Sequence, residues 1–233
     1  EAVSFVNGEG HPTDIRSLPE PIQKEPPIWI AATGNPDTFA WAGSQGFNIL
    51  TMLLGGTLKD TAERVQVYRA ARAAAGLDPL LGRVALMLHT LVHPDEPRVQ
   101  EATEAPFTRY VRDALDAQRG ASPEGRSLDE QQQAMMVRYA VERYRRTAAL
   151  FGSPDQCLPL LKDLVEAGIN EVASLIDFGP EDDLVVEGLR HLATLRDTWN
   201  GKASLAAKPK DPGQRMGKDR SNATIAIIGM SVN

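Results

Sequence analysis

Cysteine is almost missing from this chain of 233 residues: Cys157 stands alone. An internal disulfide is excluded, and so is a cysteine-built zinc site, which needs several thiolates or histidines where only four histidines exist. No apolar run reaches the roughly 18 to 20 residues of a membrane-crossing helix. The opening Glu1-Ala2-Val3-Ser4 lacks the basic and then apolar segment of a secretory signal, so a cytoplasmic protein without membrane contact is expected. The chain also opens without Met, which suggests a piece of something longer. With 42% hydrophobic and 24% charged residues the composition is that of an ordinary globular protein, and a formal charge of -6 argues against a nucleic-acid partner.

The charge is unevenly spread. Lys202 to Arg220 carries six basic and two acidic residues, with Gly201, Pro209, Pro212, Gly213 and Gly217 among few apolar ones. Such a segment cannot bury enough surface to fold, and residues 200–222 read as a disordered basic linker.

Before residue 28 the turn formers Gly8, Gly10, Pro12, Pro19, Pro21, Pro26 and Pro27 give an extended approach with no strong element. Ile28 to Ala32 is a short run of strand formers. It is followed by Asn35-Pro36-Asp37, which combines an N-cap, a proline at the first helical position and an acid in the first turn. That helix should reach about Gln45 and stop at Gly46. Phe47 to Leu54 is a second apolar run, after which Thr57 and Asp60 can cap a helix ending at Gly76. Val84 to Val92 is a third strand, helices follow at about 96–118 and 128–150, and Ser153-Pro154-Asp155-Gln156 starts another that stops at Gly168. Glu171 to Ile176 is a fourth strand, and a last helix runs from about Pro180 to Trp199. Near-continuous apolar strands alternating with helices mean an α/β protein with a parallel sheet. Four such units fit either half of an eight-stranded barrel or most of an open doubly wound sheet.

Several separated segments narrow that choice. Pro26-Pro27-Ile28-Trp29-Ile30-Ala31-Ala32-Thr33-Gly34-Asn35-Pro36, Gly46 to Thr51, Val84 to Val92 with His89, Phe151 to Pro154, Ala167 to Glu171 and Leu175-Ile176-Asp177-Phe178-Gly179 keep the order and spacing of one family. Residues 1–199 resemble the C-terminal half of a bacterial-luciferase-like flavin-dependent monooxygenase domain, of the kind embedded in polyketide and nonribosomal peptide synthases. Thr224-Ile225-Ala226-Ile227-Ile228-Gly229-Met230-Ser231 resembles the first strand of a ketosynthase, so 223–233 would open a truncated ketosynthase domain. The resemblance implies strands five to eight of a TIM-type (β/α)8 barrel, with the N-terminal half of the barrel as missing partner. It implies reduced FMN as cofactor and dioxygen as co-substrate. The further partners it implies are a flavin reductase, an acyl or peptidyl carrier protein that presents the substrate, and the downstream ketosynthase. A deazaflavin-dependent oxidoreductase of the same fold, or a non-catalytic scaffold between synthase modules, are the alternatives.

Chemistry in such a barrel gathers at the C-terminal ends of the strands. Thr33-Gly34-Asn35, with Thr38, sits where backbone N–H groups and the helix dipole favour an anion, and the resemblance makes it the holder of the flavin phosphate; simple strand-to-helix turn chemistry remains open. His89 shares one strand face with Ala85 and Met87, which would point into the barrel. The resemblance makes it catalytic, by hydrogen bonding or proton transfer, against a structural role in the core. Met52 departs from the resemblance, since sequences of that family frequently have His or Trp at its place; it can line a flavin ring or acyl chain, as can Met87, but cannot act as acid or base. Asp177 is a second catalytic candidate and Phe178 a lining one, although Asp177 could equally cap the following turn. Arg138, Arg143, Arg145 and Arg146, with Tyr139 and Tyr144, read as a solvated helix face. His93 and His191 have no partner at ligand spacing, no metal is expected, and Cys157 reads as a buried apolar residue.

Overall fold

A computed structural model describes residues 3–15, 18, 19, 22, 23, 25–53, 56–120, 129–206 and 224–226. The chain begins with a hairpin, β1 (Val3–Val6) antiparallel to β2 (Pro12–Ile15). Six further strands form one parallel sheet: β3 (Trp29–Ala31), β4 (Asn48–Met52), β5 (Val84–Val92), β6 (Ala149–Gly152), β7 (Glu171–Leu175) and β8 (Thr224–Ala226). The order is β3-β4-β5-β7-β8, with β6 beside β5. The connecting helices are α1 (Pro36–Ser44), α2 (Leu58–Ala74), α3 (Glu96–Gly120), α4 (Glu130–Thr147), α5 (Pro154–Glu166) and α6 (Asp182–Ala206).

The local signals act where the sequence put them. Asn35 caps α1 by accepting the Asp37 N–H at 2.9 Å, and Thr57 with Asp60 closes a reciprocal box at the start of α2. Ser153 and Gln156 do the same for α5. The strand face turned to the helices carries Ile49, Val84, Leu86 and Leu88, each almost fully buried, against Phe39, Val65, Tyr68, Leu164, Leu192 and Leu195. Each such side chain contributes about 1.5 to 3 kcal/mol on leaving water, which makes this layer the main source of stability. The opposite face, with Asn48, Leu50, Met52, Met87 and His89, is only half-buried.

The sheet forks. On the edge of β5 away from β4, Ala85–His89 pairs with β7 and His89–Val92 pairs with β6, so His89 is the residue at which one neighbour replaces the other.

Four features depart from the sequence reading. The hairpin was not expected; it forms because Asn7 Oδ1 accepts both the Glu9 and His11 N–H groups and Gly10 supplies a φ of 85°. β6 occupies residues read as helix and loop: α4 stops at Thr147, and the short run Ala149-Leu150-Phe151 before the Ser153 cap joins the free upper edge of β5. α6 continues past Trp199 to Ala206, into the segment read as tether, because Ala203, Leu205 and Ala206 are strong helix formers ahead of Pro209. The rest of that tether, 207–222, lies outside the described residues. Of the segment that resembles a ketosynthase opening, Thr224–Ala226 is a strand as read, and it lies parallel to β7 in the same sheet, Thr224 level with Glu171; 227–233 also lie outside.

Candidate functional site

The strands end on one side of the sheet, and the loops there carry most of the candidate residues. Ala31 pairs with Leu50 and Met52 pairs with Met87, so the Thr33 turn that follows β3 leaves the sheet at the same end as Met52 and Met87. His89 is one pleat further along β5.

His89 stands in a ring of aromatic side chains. Tyr110, Phe107 and Phe178 meet it edge to face at 4.3, 5.0 and 5.4 Å between ring centroids, and Phe151 packs behind Phe107 and Phe178. Its Nε2 is buried with no hydrogen-bond partner among the described residues. Burial lowers its pKa to about 4, so the imidazole is neutral at physiological pH. A neutral, buried imidazole with a spare nitrogen is a hydrogen-bonding group for an oxygen-bearing ligand and a poor base.

Next to His89 lies a cavity of about 40 Å³. The sheet supplies Met52, Leu53, Met87 and Leu175; α3 supplies Phe107, Tyr110, Val111 and Ala114; Tyr144 and Ala148 close it from α4. The polar groups offered by this apolar wall are few, with Tyr110 the notable one. Burial, and then the Asp177 carboxylate, push the Tyr110 hydroxyl above its ordinary value.

The cavity therefore gathers His89, Met52 and Met87, with Phe178, itself buried, packed directly on His89. Asp177 is exposed and joins His89 by no hydrogen bond or ion pair among the described residues; it acts on Tyr110 through its charge. Thr33, Gly34 and Asn35 form the exposed turn into α1, with Thr38 half-buried one turn on. The Asn35 carbonyl is committed to its cap, but a Cβ placed on Gly34 would meet nothing within 4 Å, which leaves the backbone open to close approach. Thr51, beside Met52, faces the helices instead; it is fully buried and its hydroxyl has no partner among the described residues.

Sequence reasoning missed the α3 contribution. Val99, Thr103, Phe107 and Val111 recur every four residues and are all buried, which marks the face turned to β5 and carries Tyr110 with it. It also missed that His93 and His191 meet, ring centroids 4.8 Å apart, with Glu187 3.3 Å from His93 Nε2. Burial pushes the Cys157 thiol up to about 12, in keeping with an inert apolar role. Among the described residues no three His, Cys, Asp or Glu side chains converge as metal ligands, and no helix is long and apolar enough to cross a membrane.

Comparison with known proteins bears on this geometry. A family model described as luciferase-like monooxygenase matches residues 1–171. No curated protein sequence matches the chain. Among solved structures it is similar to the monooxygenase RslO1 from Streptomyces bottropensis, at 18% identity and a TM-score of 0.61 over 82% of this chain and 54% of that one. It is also similar to an F420-dependent secondary alcohol dehydrogenase bound to an F420–acetone adduct, at 16% identity and a TM-score of 0.55, over 84% and 56%. A third is the oxygenating constituent of 3,6-diketocamphane monooxygenase from Pseudomonas putida in complex with FMN, at 17% identity and a TM-score of 0.53, over 84% and 58%. At these identities the likeness shows the fold: the helix-covered parallel strands are an arc of the barrel expected from the sequence. The chain spans 54 to 58% of the length of these three structures.

Proposed function

The chain belongs to the luciferase-like monooxygenase family, and from that premise we propose that it is part of a reduced-flavin-dependent monooxygenase that oxygenates a carrier-tethered intermediate in polyketide or nonribosomal peptide assembly. The observation that carries this reading is the His89 cavity: an apolar pocket at the C-terminal ends of the strands with one buried, unpartnered nitrogen.

The residues present fit FMN. The turn Thr33-Gly34-Asn35 and Thr38 would hold its phosphate, where exposed backbone and the α1 dipole favour an anion. Met52 and Met87, at the same end of the sheet as that turn and half-buried, would take the ring side. When bound, reduced FMN supplies the electrons that activate dioxygen. The aromatic and aliphatic walls around His89 keep water out, and His89 Nε2, neutral, hydrogen-bonds a substrate oxygen and orients the carbon beside it. Tyr110, packed edge to face on His89, lines the same cavity as a second hydrogen-bonding group. The upstream half of the barrel, a reductase, a carrier protein and a downstream ketosynthase are the partners of this reading, in the cytoplasm.

A second reading, hydride transfer with a deazaflavin, is favoured by the likeness to the F420-dependent dehydrogenase. Affinity for reduced FMN and reduced F420, measured on the protein together with its upstream half for wild type and for Asn35→Ala/Thr38→Ala, tests both. Binding of FMN, weakened by about 1 to 3 kcal/mol in the double variant, is the expected result. Preference for F420 favours the second reading, and a folded protein that binds neither is a scaffold.

A further inference from the structure

We propose that a groove between the last turns of α4 and the first turn of α2 is a second anion site, which takes the phosphate of a phosphopantetheine-type arm whose thioester end lies in the His89 cavity. This rests on the reading of that cavity as the oxygenation site. The groove measures about 490 Å³ and presents Arg143, Arg145, Arg146 and Lys59 around an apolar floor that includes Leu53. It is separate from the β3–α1 turn assigned to the flavin phosphate.

The dipole of α4 accounts for part of this charge, since Arg145 and Arg146 sit in its last turn, but not for Arg143 or Lys59. Among the described residues none of the four cations forms an ion pair with a carboxylate, and the groove is lined by one acid, Asp163. Arg143 and Arg146 stand three apart on α4, a like-charge spacing that weakens a helix. Lys59 sits in the first turn of α2, at the positive end of the dipole, where a cation is disfavoured. An anion between them would relieve both costs. Two of the guanidiniums are already held by rings: Arg143 lies 5.0 Å from the centre of Tyr144 and Arg145 5.9 Å from that of Phe151. Stacking of this kind leaves N–H edges free for the paired bonds that a phosphate accepts.

Position decides what else the ligand carries. Leu53 walls both the groove and the His89 cavity, and Tyr144 and Ala148, which close the cavity, alternate along the chain with Arg143, Arg145 and Thr147, which line the groove. The groove and the cavity thus share a wall, and in this proposal a ligand anchored by phosphate in the groove reaches His89 by passing Leu53 with an extended chain of amides ending in a thioester. Free acyl-coenzyme A and a carrier protein share this arm.

The test is titration of 4′-phosphopantetheine, pantetheine, an acyl-coenzyme A and a phosphopantetheinylated carrier protein against the intact protein, with reduced FMN titrated in parallel. Phosphopantetheine should bind at least about tenfold tighter than pantetheine, and raising salt from about 0.05 to about 0.5 M should erase most of that difference. Arg143→Gln/Arg146→Gln, and separately the exposed Lys59→Gln, should remove it while FMN affinity and far-ultraviolet circular dichroism stay unchanged. A stronger response to the carrier protein than to acyl-coenzyme A identifies the tethered source, and the reverse identifies the free one. Equal binding of phosphopantetheine and pantetheine, or variants that bind like wild type, overturns the proposal. So does loss of FMN instead of phosphopantetheine binding in the variants, which would make the groove the flavin phosphate site. Arginine-dependent phosphopantetheine binding by a protein that takes no flavin keeps the groove and removes the oxygenation reading.

Discussion

At the N-terminal ends of the strands Arg69 donates to the carbonyls of Pro79 and Gly82 and to Asn170 Oδ1, and that same oxygen accepts the Val84 N–H at 2.9 Å. Asn48 Oδ1 takes the Arg83 N–H, Tyr68 donates to the Phe47 carbonyl at 2.8 Å, and the buried Glu171 is paired with Arg83. Among the described residues, Arg72 Nη1 is the one buried side-chain polar atom at this end without a partner. At the C-terminal ends, two pleats from Ala85 along the same strand, His89 Nε2 is buried in an aromatic ring and left without a partner. One end spends its hydrogen bonds on holding loops together, while towards the other the Thr51 and Ser174 hydroxyls and His89 Nε2 are left without partners among the described residues, and of these only His89 borders the cavity. In the proposed function, the difference separates residues that build the fold from a residue that takes a ligand.

The largest effect that would sharpen this contrast is expected at Arg69. Arg69→Met takes the donor from two carbonyls and one of two donors from Asn170 Oδ1, which keeps the Val84 N–H, and urea unfolding should show a loss of about 3 kcal/mol. Next comes acid. His89 has a pKa of about 4 when folded against 6.5 when exposed, so its burial is without penalty above pH 6.5. As the pH falls from 6.5 towards 4 the unfolded chain takes the proton first, and stability should drop by up to about 3 kcal/mol. His89→Leu should remove that part of the pH dependence. Smaller again is Gly43→Ala, where a Cβ would come within 2.5 Å of the Tyr68 carbonyl oxygen and push α1 off α2; a loss of about 2 kcal/mol is expected by thermal unfolding. Smallest, and opposite in sign, is His89→Leu at neutral pH. Deleting an unpaired buried nitrogen should raise stability by about 1 kcal/mol, and a loss as large as that of Arg69→Met would mean that His89 belongs to the framework after all.

Most of the fold was legible because its signals are local. Asn35-Pro36-Asp37, Thr57 with Asp60, Ser153 with Gln156 and the glycines at 46, 76 and 168 set helix ends through neighbours a few residues away. β6 was hidden for the opposite reason. Four residues cannot declare themselves a strand alone, and what makes them one is the upper edge of β5, about sixty residues earlier in the chain. The site divides the same way. The face shared by Met87 and His89 follows from strand alternation, and Met52 follows from its place at a strand end. Tyr110 comes to His89 only because α3 folds back over the sheet, and the arginines of α4 gain a groove only where α2 and α5 meet them. Contacts of that range leave no mark in neighbouring residues.

The fork at His89 has a consequence for how this architecture can vary. Everything between Val92 and Gly152, that is α3, α4 and β6, joins the sheet through the last few residues of β5, while β7 pairs independently with the strand below. The segment behaves as a cassette fastened to the tail of a single strand. It contributes the Phe107, Tyr110 and Tyr144 walls and the arginines beside them, yet none of the Arg69 network. Ligand preference could therefore be rewritten by exchanging one contiguous stretch of chain, with the load-carrying end of the barrel left untouched.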